Sequence, residues 1–263
     1  MQFIKYHGLG NDFVLLQRTI DDLPAISPEF AREICARGQG VGADGVMRAR
    51  PSERADVEME LLNADGTTPE MCGNGIRCLV KYLVEELSYA QNPLRIWTGA
   101  GLRSCTYETD EDGRVHSVRV EMGPAVVEER TVEGISGYAV DLGNPHFVIF
   151  EQGELSHERA ATVGAALTVH PAFPDGANIE FVSRTDDGSF DVIVYERGCG
   201  LTQACGTGAT AVVAAAIACE RGAAHEPIAV RLPGGTLTIE VAPDLSQTWM
   251  TGPATEVYRG RLG

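Results

Sequence analysis

The motif Cys72-Gly73-Asn74-Gly75 returns 133 positions later as Cys205-Gly206-Thr207-Gly208, and each copy opens an apolar run, Ile76 to Leu83 in the first case and Ala209 to Ala218 in the second. The same offset links Gly10-Asn11 to Gly143-Asn144, and an offset of 129 links Met122-Gly123-Pro124-Ala125 to Thr251-Gly252-Pro253-Ala254. Three echoes in one order read as two similar domains, 1–125 carrying Cys72 and 126–263 carrying Cys205, with the last strand able to return to the first domain. Independent convergence on Gly-rich turns is the competing explanation. A site that uses both copies is expected in the cleft between the domains.

Each cysteine sits on a Gly-rich turn that opens a helix. A helix start carries unpaired N–H donors and about half a positive charge. A thiol placed there has a depressed pKa and becomes a better base or nucleophile. Two such thiols in equivalent places suggest a pair that acts together.

Composition limits the alternatives. With 44% apolar and 22% charged residues, a chain of 263 residues is an ordinary globular protein of one large or two ordinary domains. A formal net charge of −16 disfavours nucleic acid and anionic membrane as partners. No apolar run reaches the roughly 20 residues of a membrane span, and the N-terminus does not read as a signal peptide, so a cytoplasmic location is expected. Seven cysteines, an odd number, argue against a disulfide framework. The six-residue spacings Cys72 to Cys78 and Cys199 to Cys205 do not match structural zinc sites, so no metal is expected. Cys35, Cys105 and Cys219 read as small core residues.

Periodicity predicts strands over Met1–Gln17 (split by the Gly-rich turn), Val57–Asn63, Leu94–Thr98, Leu102–Glu108 and Val115–Met122 in the first half. In the second half it predicts strands over Ala139–Leu142, Phe147–Phe150, Ala177–Arg184, Phe190–Tyr195, Ile228–Leu232, Gly235–Val241 and Thr248–Thr251. Helices are predicted from a Ser27 cap through Arg37, over Gly73–Glu86, over His157–Ala166 and over Gly206–Arg221. Many antiparallel strands per helix indicate an α+β fold.

Five separated motifs, in one order, resemble the diaminopimelate epimerase family. They are His7-Gly8-Leu9-Gly10-Asn11-Asp12-Phe13, Asn63-Ala64-Asp65-Gly66, Met71-Cys72-Gly73-Asn74-Gly75-Ile76-Arg77-Cys78, Gly143-Asn144-Pro145-His146-Phe147, and Glu196-Arg197-Gly198 followed by Ala204-Cys205-Gly206-Thr207-Gly208. The resemblance implies two pseudo-symmetric α+β domains, each a mostly antiparallel sheet around a central helix. It implies cofactor-independent interconversion of LL- and meso-diaminopimelate, a diamino-dicarboxylate, in lysine and cell-wall precursor biosynthesis. Carried over by motif, Cys72 and Cys205 are the acid/base pair and His146 and Glu196 tune them. Substrate contacts fall to Asn11, Asn63, Gly73, Asn74, Asn144, Asn178, Glu196, Arg197, Gly206 and Thr207. A homodimer is compatible with this reading. The chain departs from the family at Arg37-Gly38-Gln39-Gly40, where many members have Arg-His-Phe-Gly, and at Gly45, where some have Gln.

The residues support that reading by themselves. Inverting a stereocentre needs a base on one face and an acid on the other, and two thiols from two similar domains supply opposed approaches. Pyridoxal phosphate would need a Schiff-base lysine. Only Lys5 and Lys81 are present, and Lys81 is expected to point to solvent from the first cysteine helix. Backbone N–H groups of Gly73, Asn74, Gly206 and Thr207 could clamp an α-carboxylate, and Arg197 could hold a second carboxylate bidentately. Plainer roles stay open: Asn11 and Asn144 as turn formers, His146 as a satisfied loop residue, Glu196 and Arg197 as a surface ion pair. So do two other functions, a racemase of another amino acid on the same fold and a thiol-based redox sensor. The second would more often show Cys-x-x-Cys, which neither motif has.

Overall fold

The structure is a computed structural model that describes residues 1–17, 25–69 and 71–263. The first part of the chain forms β1 (Gln2–Gly8), β2 (Asn11–Gln17), α1 (Pro28–Cys35), β3 (Gly45–Arg50), β4 (Val57–Asn63), α2 (Gly73–Leu87), β5 (Leu94–Thr98), β6 (Gly101–Thr109) and β7 (Val115–Gly123). Next come β8 (Val126–Val132), β9 (Ile135–Asp141), β10 (Pro145–Phe150), α3 (His157–Leu167), β11 (Asn178–Arg184) and β12 (Phe190–Glu196). The chain finishes with β13 (Gly200–Leu201), α4 (Gly206–Ala218), β14 (Ile228–Leu232), β15 (Gly235–Val241), β16 (Thr248–Gly252) and β17 (Thr255–Arg261). It divides into two compact units, residues 1–120 with 252–263, and residues 121–251.

Each unit builds its sheet by one recipe. In the first, neighbouring strands run β17, β1, β2, β3, β4, β5, β6, β7, and the seven successive pairings are antiparallel, antiparallel, parallel, antiparallel, parallel, antiparallel, antiparallel. In the second the order is β8, β9, β10, β11, β12, β14, β15, β16, with the same sequence of senses. The echoes fall at matching places. Gly10 (φ 85°) and Gly143 (φ 91°) occupy the left-handed region in the hairpins β1–β2 and β9–β10, where a side chain is disfavoured. Gly123-Pro124-Ala125 leads into β8 and Gly252-Pro253-Ala254 into β17, the first-ranked strand of each sheet.

A central helix fills each sheet. In α2 every residue from Gly73 to Leu83 is buried, and the helix packs on β1 to β4. In α4 burial runs from Gly206 to Ala216, with contacts to β8 to β11 and β15. A helix apolar on all sides is stable only when surrounded, and the alanines of α4 permit close approach. α1 and α3 lie over the sheets with Ser27 and Ser156 as caps; the Phe30 N–H donates to Ser27 Oγ (3.1 Å) and the Arg159 N–H to Ser156 Oγ (3.2 Å). α1 stops at Cys35, short of the predicted Arg37, because the chain turns left-handed at Gly38 (φ 85°). α4 stops at Ala218, short of Arg221, where Glu220 (φ 60°) allows the Arg221 N–H to bond back to Ala216 O at 2.7 Å.

Four strands had no clear sequence signal, the two-residue β13 among them. β8 and β17 are edge strands with largely exposed, charged residues such as Glu128, Glu129, Glu256 and Arg259. β3 carries Arg48, whose guanidinium is buried against Glu60. The expectation that Lys81 points to solvent is corrected: it is buried, and Nζ donates to Glu85 Oε1 and Val115 O, both at 2.7 Å. Cys35 and Cys105 are buried, whereas Cys219 is half-buried. Among the described residues no helix is long and apolar enough to cross a membrane.

Tyr6, on β1 against α2, is fully buried, and its hydroxyl has no hydrogen-bond partner among the described residues. Burial, seconded by Glu256, holds that phenol well above its ordinary pKa, so it stays neutral. Tyr6→Phe removes an unsatisfied group without opening a cavity. It is expected to leave stability unchanged or raise it by about 1 kcal/mol in urea unfolding, and a loss of about 2 kcal/mol would show that the hydroxyl is satisfied.

Candidate active site

Both central helices begin on a cysteine. Cys72 is the N-cap of α2, with extended backbone (φ −135°, ψ 96°), and its sulfur accepts the Gly75 N–H at 3.2 Å. Cys205 caps α4 in the same way (φ −119°, ψ 111°), accepting the Gly208 N–H at 3.4 Å. Each sulfur therefore sits at the positive end of a helix dipole, next to first-turn N–H groups that no carbonyl of the same helix can reach.

In the first unit the surroundings of Cys72 are knitted by amides. Buried Arg77, one turn into α2, donates from Nη2 to Asn74 Oδ1 (2.9 Å), from Nη1 to Gly73 O (3.0 Å) and from Nε to Pro253 O (3.0 Å). That fixes the Asn74 amide, whose Nδ2 donates to Asn11 Oδ1 (3.2 Å), while Asn11 Nδ2 donates to Asp44 Oδ2 (2.8 Å). Arg37 then ties Asp44 to Asp12, donating at 2.8 Å to each. Burial lowers the Arg77 pKa to about 10, with the Cys78 and Cys72 sulfurs acting against that loss. The guanidinium remains a cation at neutral pH and favours negative charge on the nearby sulfur.

In the second unit the equivalent position is acidic. Asn144 Nδ2 donates to Thr207 Oγ1 (3.3 Å), and Thr207 Oγ1 lies 3.5 Å from Cys205 Sγ. His146 is buried between Asn144 Oδ1, 3.2 Å from Nε2, and Glu180 Oε1, 2.7 Å from Nδ1. The Glu196 carboxylate accepts from Thr202 Oγ1 at 2.5 Å, and its charge acts on Cys205. Burial pushes the Cys205 thiol well above its usual range, and Glu196 and Glu180 push the same way against Thr207 and the Gly208 N–H. Burial also raises the Glu196 pKa.

Strand register shows how the halves diverged. In β2 and β3, Phe13 faces Gly45 and Leu15 faces Met47; in β10 and β11, His146 faces Asn178 and Val148 faces Glu180. His146 therefore stands where the first unit has Phe13, Asn178 where it has Gly45, and Glu180 where it has Met47. Asn63, opposite Gly45, corresponds to Glu196, one step beyond the Ile179–Tyr195 pair. The helix floor agrees with this: a Cβ at Gly75 would lie 3.4 Å from Met47 Cε, and a Cβ at Gly208 only 2.8 Å from Glu180 Oε1.

Of the residues expected in the site, the structure joins Cys72, Gly73, Asn74 and Asn11 in one hydrogen-bonded cluster. It joins Cys205, Thr207, Asn144 and His146 in another, with Gly206 opening α4 beside them and the Glu196 charge acting on Cys205. Asn178 is buried, donating to Pro145 O (3.3 Å) and accepting the Arg197 N–H (3.0 Å); it thereby positions the exposed Arg197, whose Nη1 donates to Asp175 O (2.7 Å). Asn63 stands apart at the end of β4, bonded to Thr67 Oγ1 at 3.0 Å. At the departure from the family pattern, a Cβ on Gly45 would lie 2.8 Å from Leu62 O, so this backbone leaves no room for a side chain. Sequence reasoning missed Arg77, Asp44 and Glu180. The one available signal for Glu180 was an acid inside the apolar run Ile179-Glu180-Phe181-Val182. Among the described residues no group of three or more His, Cys, Asp or Glu is arranged to hold a metal.

Comparison with known proteins agrees with this geometry. The family model described as diaminopimelate epimerase matches residues 3–128 and 138–257. A diaminopimelate epimerase of Desulfitobacterium hafniense is 41% identical over 285 aligned positions, covering 100% of this chain and 98% of that protein. One from Desulforudis audaxviator is 42% identical, covering 99% of both. Among solved structures, a hydroxyproline epimerase of Agrobacterium vitis with bound trans-4-hydroxy-L-proline superposes with a TM-score of 0.76 at 17% identity, over 100% of this chain and 90% of that one. A PhzF-family phenazine biosynthesis protein of Bacillus anthracis gives 0.75 at 14% identity, over 99% and 98%. These two share the fold. On the matched family model and the full-length identity, the chain belongs to the diaminopimelate epimerase family.

Proposed function

We propose that this protein is an isomerase that epimerises diaminopimelate, interconverting the LL and meso forms by two-base proton transfer between Cys72 and Cys205. One observation carries the mechanism: two thiols cap the buried central helices of two units with the same sheet order. One sulfur, as thiolate, removes the α-proton; the other, as thiol, delivers its own proton to the opposite face of the carbanion. The product has the composition of the substrate, and the two sulfurs have exchanged protonation states. First-turn N–H groups of α2 and α4 (Gly73, Asn74, Gly206, Thr207) stabilise the α-carboxylate as charge moves onto it.

The unlike surroundings of the two sulfurs support a division of roles. In this reading Cys72, beside the Arg77 cation, is the sulfur that begins as base, and Cys205, whose thiol is held protonated by burial and by Glu196 and Glu180, is the acid. His146 and Glu196 tune the second sulfur. The remote amino-acid group is read by Asn63, Asn144, Asn178, Glu196 and Arg197, with Asn11 holding the Asn74 amide. The mechanism calls for no imine: both lysines of the sequence are held in ion pairs, Lys5 with Asp12 at 2.8 Å and Lys81 with Glu85 at 2.7 Å. Seven free thiols suit a reducing, cytoplasmic setting.

Three outcomes test the reading. Cys72→Ala and Cys205→Ala should each lower epimerisation by roughly 10²–10⁴-fold or more with the fold retained by circular dichroism, whereas Cys78→Ala and Cys199→Ala should cost far less. Iodoacetamide at about pH 8 should alkylate Cys72 before Cys205, read by peptide mass mapping with exposed Cys199 as reference; faster modification of Cys205 would reverse that division of roles. Arg197→Ala should reduce kcat/KM for diaminopimelate roughly tenfold to a hundredfold while leaving poor substrates such as alanine poor. Efficient racemisation of alanine, proline or histidine by the unmodified protein would favour a different substrate on this fold.

A further inference from the structure

We infer that Glu180 is a positioning residue for proton transfer at Cys205, acting through the His146 ring and the Asn144 and Thr207 side chains. The inference rests on the reading of Cys205 as a proton-transfer group. Glu180 and His146 are both completely enclosed, and one carboxylate oxygen lies 2.7 Å from Nδ1. The other oxygen, Oε2, is buried with no hydrogen-bond partner among the described residues. A buried carboxylate left half satisfied is costly, and Met47 shows that an apolar side chain fills the matching place in the first unit. A purely structural role does not account for an acid there.

The hydrogen bonds give it one. Asn144 spends its Nδ2 donor on Thr207 Oγ1, so the atom facing His146 Nε2 is Oδ1, which can only accept. Nε2 therefore carries a proton. A carboxylate at Nδ1 holds a proton there as well, and the ring is an imidazolium whose charge Glu180 balances. Glu196 and the Cys205 sulfur are the other titratable groups of the cluster. With Thr207 Oγ1 already accepting from Asn144, its own O–H is left to point at Cys205 Sγ, 3.5 Å away. Every donor in the series His146, Asn144, Thr207 then faces the sulfur, ready for the moment when Cys205 gives up its proton and becomes a thiolate. Without the Glu180 charge the ring is a neutral imidazole with one proton: a Gln there holds that proton on Nδ1, leaving Nε2 to accept and the Asn144 amide and Thr207 hydroxyl to turn over, while a Met leaves the proton on Nε2 but removes the positive charge behind the series.

The test compares Glu180→Gln, Glu180→Met and Cys205→Ala in the full chain, using α-proton exchange of LL-diaminopimelate in heavy water, thermal unfolding and the ring ¹⁵N shifts of His146. Glu180→Met and Glu180→Gln should each lower kcat roughly tenfold or more with KM nearly unchanged, since neither side chain can balance an imidazolium. The parent should show two protonated ring nitrogens on His146 and the Met variant one, with Tm unchanged or raised in the Met variant. Wild-type turnover in either Glu180 variant, or a loss of kcat that tracks a fall in Tm in both, would overturn the inference. Retained exchange in Cys205→Ala would instead overturn the proton-transfer reading on which it rests.

Discussion

A thiol is a poor helix cap, and the chemistry depends on that. Serine, threonine, asparagine and aspartate bind the first free N–H groups of a helix well; α1 and α3 use serine in this way. The two central helices use sulfur, with Gly75 and Gly208 donating at 3.2 and 3.4 Å. Their starts stay electropositive, which suits them to a carboxylate in the proposed reaction. The surrounding sheets tolerate this because the remainder of each helix is apolar and enclosed, so tertiary packing stabilises what the cap does not.

Duplication supplied two equal thiols, and divergence made them unequal. At matching register positions the first unit has Phe13, Met47 and Asn63 and the second His146, Glu180 and Glu196. The first unit adds the Arg77 cation from within its own helix. In the proposed mechanism a symmetric pair would share one proton affinity, with neither sulfur set apart as base or acid. Opposite local charge separates the two affinities without changing the backbone.

Much of this was legible in the residues, for identifiable reasons. Cys-Gly-x-Gly before an apolar run is local chemistry, so the helix starts and the thiols could be read directly, as could the hairpins at Gly10 and Gly143. Edge strands β8 and β17 were not, because half-exposed charged strands lack alternation. Lys81 was misjudged because helical position alone does not reveal that β7 supplies Val115 O to its ammonium. Glu180 required the pairing of β10 with β11 before its neighbour could be named. The correspondence between Glu180 and Met47 falls at the same offset of 133 that links Cys72 to Cys205, but only the paired strands show that the acid lies beside His146.

The first-ranked strand of the first unit, β17, is the last strand in chain order, and it closes on β1, with the Leu262 N–H bonded to Met1 O at 2.8 Å. On a ribosome, residues 1–120 emerge first but must wait with an unpaired β1 edge until everything else has been synthesised. The second unit, whose strands lie together within 121–251, has no such delay. The half that carries Cys72 is thus the one whose sheet waits on the segment farthest along the sequence from its other strands.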